Sequence, residues 1–521
     1  MRFPILGIVI LAAATATAAR QAAAPSSAFP DPDRRTRLAT AFPEIDRLFV
    51  DYAASVHAPG AAWGIVIDGQ LAHQGATGMR DVATKAPVDA DTVFRIASMT
   101  KSFTAMSILK LRDSGKLSLD DPAERYVPEL KGLKYPTSDS PRITIRHLLT
   151  HSEGFPEDNP WGDQQLSDTE ADLSRMMREG IPFANAPGIA YEYSNYGFAI
   201  LGRVVSQASG MPYDEYVTAN ILTPLGMTST TLYPSKVPPK MLAIGYRWED
   251  NQWKVEPALP HGSFGSMGGM LTTVRDLSRY VATFLDAWPP RDGPETGPIS
   301  RSSLREMQQP WRPSATRVAL IKSGPTAALT VTGYGYGLRV TQTCHYPAMV
   351  AHSGGLPGYG SLMRWLPDYG VGVIAFGNVT YTDWNATVAA VIDRLDKTGA
   401  LEPRKVQPSP ALVAARDDVS KLIVQWDDAL ADRIAAQNLY LDRSKDRRHS
   451  EIEGLRAKTG ACTTPTKFDY VENALRGQWT MSCERGALQV SITLAPTMPP
   501  TVQYLAVREG TVAPPPGPCG S

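Results

Sequence analysis

Residues 94–103 are the stretch that decides the fold of this chain, and they read Phe94-Arg95-Ile96-Ala97-Ser98-Met99-Thr100-Lys101-Ser102-Phe103. Helix formers and apolar residues fill the stretch from Thr100 to Leu111, and Gly115 supplies a stop signal. We therefore predict a loop that runs into a helix, with Ser98 in the first turn. Apolar side chains cover more than one face of this helix, which predicts that it is buried inside a domain.

Ser98 and Lys101 stand three residues apart, so one helical turn brings their side chains to the same face. A helix N-terminus favours developing negative charge, and an amine can take or hold the proton of a serine hydroxyl. The pair predicts a nucleophilic site. Taken alone, it fits a helix cap and a solvated lysine better, since short motifs often occur by chance. Ser107 and Lys110 repeat the spacing in the same helix, and we interpret them as chance.

Composition excludes some classes of partner. The chain has 521 residues, enough for two or more domains, and 52 basic residues balance 52 acidic ones. This balance gives no indication of a nucleic acid or an anionic membrane surface as partner.

The N-terminus is typical of a targeting segment. Met1-Arg2 is a positive start, residues 3–14 are apolar, and Ala16-Thr17-Ala18 is a cleavage pattern. We predict a signal peptide over residues 1–24, a periplasmic or secreted protein, and no integral membrane span after cleavage. Four cysteines fit that oxidising compartment. We pair Cys462 with Cys483 first, and leave open whether Cys344 and Cys519 pair.

The order of apolar patterns predicts an α+β fold. Residues 61–67 and 70–74 form a hairpin around Asp68-Gly69, helical patterns dominate to about Tyr233, and strands follow from Tyr334 onward. Early and late strands then share one antiparallel sheet, flanked by helices and a helical subdomain. We place this first domain at residues 28–400, a linker with three prolines at 401–410, and a small C-terminal α+β domain with a proline-rich tail at 411–521.

Three further motifs strengthen the prediction that Ser98 belongs to a nucleophilic site. They are Tyr193-Ser194-Asn195, the only Tyr-x-Asn in the chain, then His352-Ser353-Gly354-Gly355, and finally Leu148-Leu149-Thr150-His151-Ser152-Glu153-Gly154-Phe155 between them and Ser98. With these motifs the sequence resembles the serine hydrolases of the β-lactamase and penicillin-recognising superfamily. The similar branch holds class C β-lactamases, D,D-carboxypeptidases, D-aminopeptidases and related esterases. The resemblance covers about Pro59 to Leu395, in the family's order.

The resemblance implies a role for each motif residue. Ser98 would be the acylated nucleophile and Lys101 its proton partner. Tyr193 would be the general base, with its phenol held partly ionised by the nearby ammonium. Asn195 would bind the substrate amide and help to hold Lys101. His352, Ser353 and Gly354 would line the substrate site, and the N–H groups of Ser98 and Gly355 would form the oxyanion hole.

The sequence departs from the family at His352, because many members have lysine at this place. Two literal lysine forms, Lys322-Ser323-Gly324 and Lys458-Thr459-Gly460, lie outside the expected position, so we reject them. A histidine with a near-reference pKa of about 6.5 would be charged at a pH of about 5.5 and mostly neutral at about 7.5. We therefore expect carboxylate-bearing substrates to bind better at the lower pH.

Several alternatives stay open. His147 and His151 are four residues apart, but no glutamate lies between them and no third ligand is evident, so we expect neither a metal nor a cofactor. The favoured function is an exported serine hydrolase acting on a small-molecule or peptide substrate, namely D-amino-acid peptides, β-lactams or esters. The alternative is a non-catalytic or weakly catalytic penicillin-binding-like protein. The C-terminal domain, whose protein partner is unknown, is assigned no catalytic role.

Overall fold

The computed structural model describes residues 28–159, 161–320 and 327–512. Strand β1, Gly60–Ile67, is formed by the apolar run that the sequence predicts, and all of its residues are buried. Successive side chains point to opposite faces of a sheet, so Val66 packs into one hydrophobic core and Trp63 into another. A strand that is buried on both faces needs a covering layer on each side.

Twelve more strands follow within the described residues before position 400. Their bounds are β2 Gln70–Asp81, β3 Ala86–Pro87, β4 Phe94–Arg95, β5 Tyr246–Glu249, β6 Gln252–Val255, β7 Leu271–Thr272, β8 Arg312–Leu320, β9 Ala327–Tyr334, β10 Arg339–Gln342, β11 Met349–Leu356, β12 Tyr359–Leu366 and β13 Val371–Gly377.

Nine of these strands form one antiparallel sheet in the order β3-β2-β1-β13-β12-β11-β10-β9-β8. β1 pairs with β13, with Ala61 opposite Gly377 and Ile67 opposite Val371. The early hairpin and the late strands therefore share one sheet, and the predicted α+β fold class is confirmed.

Helices cover both faces of this sheet. Their bounds are α1 Arg34–Ala39, α2 Phe42–Ser55, α3 Thr100–Asp113, α4 Ile145–Leu149, α5 Trp161–Gln164, α6 Glu170–Glu179, α7 Asn195–Ser209, α8 Tyr213–Val217, α9 Gly265–Gly268, α10 Val274–Asp286, α11 Arg301–Met307 and α12 Asn385–Lys397. Residues of α1, α2 and α12 share one core with one face of the sheet, and residues of α3, α7 and α10 share the larger core with the other face. The helix that begins beside Ser98 is thus buried inside the domain, as its sequence predicts.

The edge of the sheet differs from the prediction. The hairpin of β8 and β9 is not predicted, because polar residues interrupt its apolar ones and the two strands form the end of the sheet. The sequence predicts a strand over residues 335–340, but β10 begins only at Arg339. Gly337 has a left-handed φ of 68°, and a β-carbon there would lie 2.7 Å from the carbonyl oxygen of Lys101, so the chain turns tightly against α3.

The C-terminal region has a hydrophobic core of its own, made of residues between Leu412 and Leu505. Its elements are α13 Pro410–Val424, α14 Asp428–Ile434, α15 Lys445–Thr459, β14 Tyr470–Asn473, β15 Arg476–Cys483, β16 Gly486–Leu494 and β17 Val502–Glu509. The four strands form one antiparallel sheet in sequence order. The sequence predicts helical structure over residues 411–437, and these residues form two helices, because Gln425 is extended and the Asp427 side chain caps α14.

Cys462 and Cys483 form a disulfide, so this predicted pairing is confirmed. No cysteine in the described part of the chain is free, and Cys519 lies outside it. The predicted signal peptide, residues 1–24, also lies outside the described residues. Among the helices that are described, none combines the length and the apolar character needed to cross a membrane. The predicted domain boundaries stay predictions.

Candidate active site

Ser98 lies in a single 3-10 turn, Ala97–Met99, that leads directly into α3. Ala97 has a left-handed φ of 47°, which is rare for a residue with a side chain. β11 passes close behind this turn, since a β-carbon at Gly354 would lie 2.1 Å from the carbonyl oxygen of Ile96. Only glycine allows this approach, which brings the predicted His352–Gly355 motif against the predicted nucleophile.

Lys101 lies one turn further along, where its side chain has no exposed surface. Its Nζ donates to three oxygens, Ser98 Oγ at 3.1 Å, Asn195 Oδ1 at 2.6 Å and the Met267 carbonyl at 2.9 Å. A buried ammonium requires such partners, because it has left the solvation of water. The structure thus brings together three of the residues that the sequence singles out.

Burial lowers the pKa of Lys101 to about 7, against the opposing effect of the Asp163 and Asp158 carboxylates. An ordinary lysine is almost wholly charged at neutral pH, whereas this amine is neutral in a large fraction of molecules. Lys101 can therefore accept a proton at neutral pH.

Tyr193 is buried beside Lys101, with Nζ 4.9 Å from the centroid of its ring. Burial raises the pKa of its phenol well above the ordinary value of 10, and a hydrogen bond with the Ser98 side chain opposes this only in part. The expectation that the ammonium holds this phenol partly ionised is wrong, because removal from water outweighs the hydrogen bond with Ser98 and the charge of Arg339, which both favour ionisation. Tyr193 is a neutral phenol close to Ser98.

Asn195 is the first residue of α7, and several contacts fix it there. Its N–H donates to Asp158 Oδ1 at 2.7 Å, and its amide nitrogen donates to Asn159 Oδ1 at 2.6 Å. The preceding Ser194 caps the helix by accepting the N–H of Gly197 at 3.1 Å. The cap therefore sets the positions of Tyr193 and Asn195 on either side of it.

His352 lies in β11 and is almost completely buried, with 2% of its surface exposed. Nδ1 lies 2.6 Å from the carbonyl of Ser353, to which it must donate, so Nε2 accepts the hydroxyl of Tyr334 at 2.9 Å. Burial, with Lys101 and Arg339 nearby, lowers the pKa of His352 to about 3. The predicted near-reference pKa is wrong, and the imidazole is neutral throughout the physiological range.

A cavity of about 680 Å³ opens beside these residues. Ser98, Tyr193, His352, Ser353 and Gly355 all line it, so the structure gathers the predicted motifs around one space large enough for a small substrate. Gly354 lies behind it, against the turn that carries Ser98.

Sequence reasoning missed Arg339, which also lines the cavity. Its guanidinium carbon lies 5.7 Å from the ring centroid of Tyr191 and 6.0 Å from those of Tyr193 and Tyr334. Its side chain forms no ion pair with any carboxylate of the described residues. Arg339 in β10 pairs with Ala351 in β11, which is the neighbour of His352. Only this long-range pairing of the strands shows that Arg339 lies at the site.

His147 and His151 each accept a backbone N–H through Nδ1, His147 from Thr144 at 3.2 Å and His151 from Ser194 at 3.1 Å. Over residues 28–159, 161–320 and 327–512, no group of three or more His, Cys, Asp or Glu side chains could hold a metal ion. Of the rejected lysine motifs, Lys458-Thr459 ends α15 in the C-terminal region, and residues 322–324 lie outside the described residues.

Known proteins share sequence and fold with this chain. A family model described as Beta-lactamase matches residues 45–396. Beta-lactamase-like protein 2 of Dictyostelium discoideum is 31% identical over 245 residues, which cover 46% of this chain and 42% of that protein. Penicillin-binding protein 4* of Bacillus subtilis is 26% identical over 313 residues, which cover 57% of this chain and 62% of that protein. The chain thus spans about half of the length of these curated relatives.

The fold is also found among solved structures. The octameric penicillin-binding protein homologue from Pyrococcus abyssi superposes with a TM-score of 0.55 at 21% identity, covering 91% of this chain and 96% of that one. At this identity the likeness concerns the fold alone. The family model, however, matches well over half of the chain, and the chain therefore belongs to the beta-lactamase family.

Proposed function

We propose that this protein is an exported serine hydrolase that acts through an acyl-enzyme on Ser98, on amide or ester bonds of small substrates. One observation carries the proposal: a completely buried amine with a pKa of about 7 donates to the Ser98 hydroxyl over 3.1 Å. A general base works best when its pKa lies near the working pH.

In the first step neutral Lys101 takes the proton of Ser98 while Oγ attacks the carbonyl carbon of the substrate. The N–H groups of Ser98 and Gly355 receive the developing oxyanion. Tyr193 is a neutral phenol, so it gives its own proton to the leaving group and regains one from the Lys101 ammonium. Asn195 holds Lys101 through the bond of 2.6 Å and leaves the amine aimed at Ser98.

Arg339 supports a narrower proposal about the substrate. A guanidinium without an ion-pair partner, on the wall of the cavity that holds Ser98, favours a substrate carboxylate, which it can bind by two parallel hydrogen bonds. His352 stays neutral and both of its ring nitrogens are engaged with Ser353 and Tyr334, so it supplies no charge to the substrate. We therefore place substrates with a carboxylate, such as β-lactams or D-amino-acid peptides, ahead of neutral esters.

A fluorophosphonate probe tests the nucleophile. We expect the probe to label the wild type at Ser98, and Ser98→Ala to lose both the label and hydrolysis. Ser107→Ala is the matched control, because Ser107 repeats the motif in the same helix while its hydroxyl donates to the carbonyl of Phe103. Hydrolysis that persists in Ser98→Ala would overturn the assignment.

A substrate panel then separates the classes. Nitrocefin, D-amino-acid peptides and p-nitrophenyl esters are compared by kcat/KM, with a fluorescent penicillin used to follow acylation. Turnover of at least one class supports a hydrolase. A stable label on Ser98 without any turnover would instead favour a penicillin-binding-like protein of weak or no activity.

A further inference from the structure

We propose that His151 is a positioning residue, whose ring nitrogen holds the segment that carries Tyr193 and Asn195 in place for acyl transfer. The inference rests on the proposed function, and concerns a residue to which that mechanism assigns no step. His151 does not line the cavity, so it acts through its neighbours rather than on the substrate.

The contact is built from both the main chain and the side chain of His151. Its Nδ1 accepts the N–H of Ser194 at 3.1 Å, and its carbonyl accepts the N–H of Glu192 at 2.8 Å. Ser194 is the residue between Tyr193 and Asn195, so one bond restrains both. His151 also has a left-handed φ of 53°, a conformation that costs free energy in a residue with a side chain. Such a conformation persists when the surrounding contacts require it.

The ring of His151 also contacts tyrosines on two sides of the site. It lies 4.3 Å from the ring centroid of Tyr193 and 4.5 Å from that of Tyr334. Tyr334 in turn donates to Nε2 of His352, on the strand that carries the His352–Gly355 motif. His151 therefore contacts both the tyrosine near Ser98 and the partner of His352.

The chemistry of the ring suits a permanent acceptor. Because Nδ1 accepts a backbone N–H, the proton of the neutral ring must lie on Nε2. Burial, with Lys101, His352 and Arg339 nearby, lowers the pKa of His151 well below 6.5. The ring is therefore neutral at neutral pH, and Nδ1 is available there as an acceptor for the N–H of Ser194.

Two substitutions separate the acceptor from the ring. His151→Asn keeps an acceptor oxygen and tolerates a left-handed φ, but loses the ring. His151→Phe keeps a ring and loses the acceptor, which leaves the N–H of Ser194 buried without a partner. His147→Gln is the matched control, since His147 caps the short helix α4 before His151 and takes no part in the site.

We expect His151→Phe to lower kcat by about ten- to a hundredfold with little change in KM, and His151→Asn to stay within about threefold of the wild type. In His151→Phe the displaced Asn195 no longer accepts a hydrogen bond from Lys101, so the pKa of the amine falls. The acid limb of the pH profile of kcat/KM therefore moves to lower pH. His147→Gln should lose some thermal stability and leave kcat and the limb unchanged. Amide hydrogen exchange at Ser194 should accelerate in His151→Phe alone.

The proposal is overturned if His151→Phe retains activity as well as His151→Asn does, or if it loses kcat while both the acid limb and Ser194 exchange stay as in the wild type. Should His151→Phe not fold, His151→Ala removes the acceptor without adding volume, and the same results are expected. Failure of the proposed function would look different, because the wild type itself would then neither turn over substrate nor carry the label on Ser98.

Discussion

On the helical wall of the cavity, formed by α3 and α7, Lys101 is completely buried, and on the strand wall, formed by β10 and β11, His352 is buried almost as deeply. Both positions disfavour the charged form. The pKa of the lysine falls from 10.5 to about 7, and that of the histidine from 6.5 to about 3. The same removal from water therefore gives a group that titrates at neutral pH on one wall and a permanently neutral group on the other.

The largest effect should come from the group that titrates. Lys101→Met removes the amine with little change in volume, and we expect the acylation rate to fall by roughly four orders of magnitude, the upper range for a positioned acid–base group. Lys101→Arg should not rescue the rate, because a guanidinium does not give up its proton. The measurement is stopped-flow acylation by nitrocefin or a p-nitrophenyl ester.

Lys110→Met is the control for that experiment. Lys110 belongs to the chance repeat of the motif in α3, and its amine donates to the carbonyl of Pro298 rather than to a catalytic group. Its rate should equal that of the wild type. A Lys101→Met enzyme that acylates normally would show that another group takes the proton of Ser98.

On the strand wall, Arg339 provides the charge that His352 lacks. Arg339→Gln should lower kcat/KM for a carboxylate-bearing substrate by about ten- to a hundredfold, the range of one charge-assisted hydrogen bond. A neutral ester should change by less than about twofold, because it offers no carboxylate. Equal losses of kcat/KM on both substrates would mean that Arg339 supports the site without binding the substrate carboxylate.

The helical wall could be predicted better than the strand wall, for a physical reason. Ser98 and Lys101 are joined by one helical turn, so their spacing in the sequence already implies their contact. Arg339 reaches the cavity through the pairing of β10 with β11, which brings it next to a motif thirteen positions later. Sequence patterns give the existence of strands more readily than their register.

The pKa values could not be predicted either, because they depend on burial rather than on residue type. The motif identifies His352, but its exposure of 2% and its bonds to Ser353 and Tyr334 are properties of the folded chain. The hairpin of β1 and β2 could be predicted from the sequence because a continuous apolar run is followed by an Asp-Gly turn there. The polar edge hairpin of β8 and β9 carries no such signal.

A smaller effect tests the strand wall by pH. We expect the ratio of kcat/KM for an anionic to a neutral substrate to stay flat between a pH of about 5 and 8, since His352 with a pKa of about 3 keeps its charge state there. Both rates should rise together through a pH of about 7 as Lys101 loses its proton. If this ratio instead rises as the pH falls below about 6, His352 is protonated there and binds the substrate carboxylate.

The smallest effect concerns what sets the pKa of Lys101. The carboxylate of Asp163 opposes the lowering of the Lys101 pKa by burial, and burial raises the pKa of Asp163 itself to about 6. The acid limb of the wild type therefore belongs to the Lys101–Asp163 pair.

Asp163→Asn removes this charge while an amide oxygen can still accept the hydroxyl of Tyr381. Without the carboxylate the ammonium loses stabilisation, so the limb should move to lower pH by up to about one unit. Glu192→Gln is the control, because Glu192 lines the same cavity and is not among the charges that shift the pKa of Lys101 or of Asp163. A limb that stays in place or moves to higher pH in Asp163→Asn would show that burial alone tunes the amine, and that the helical wall needs no counter-charge to work at neutral pH.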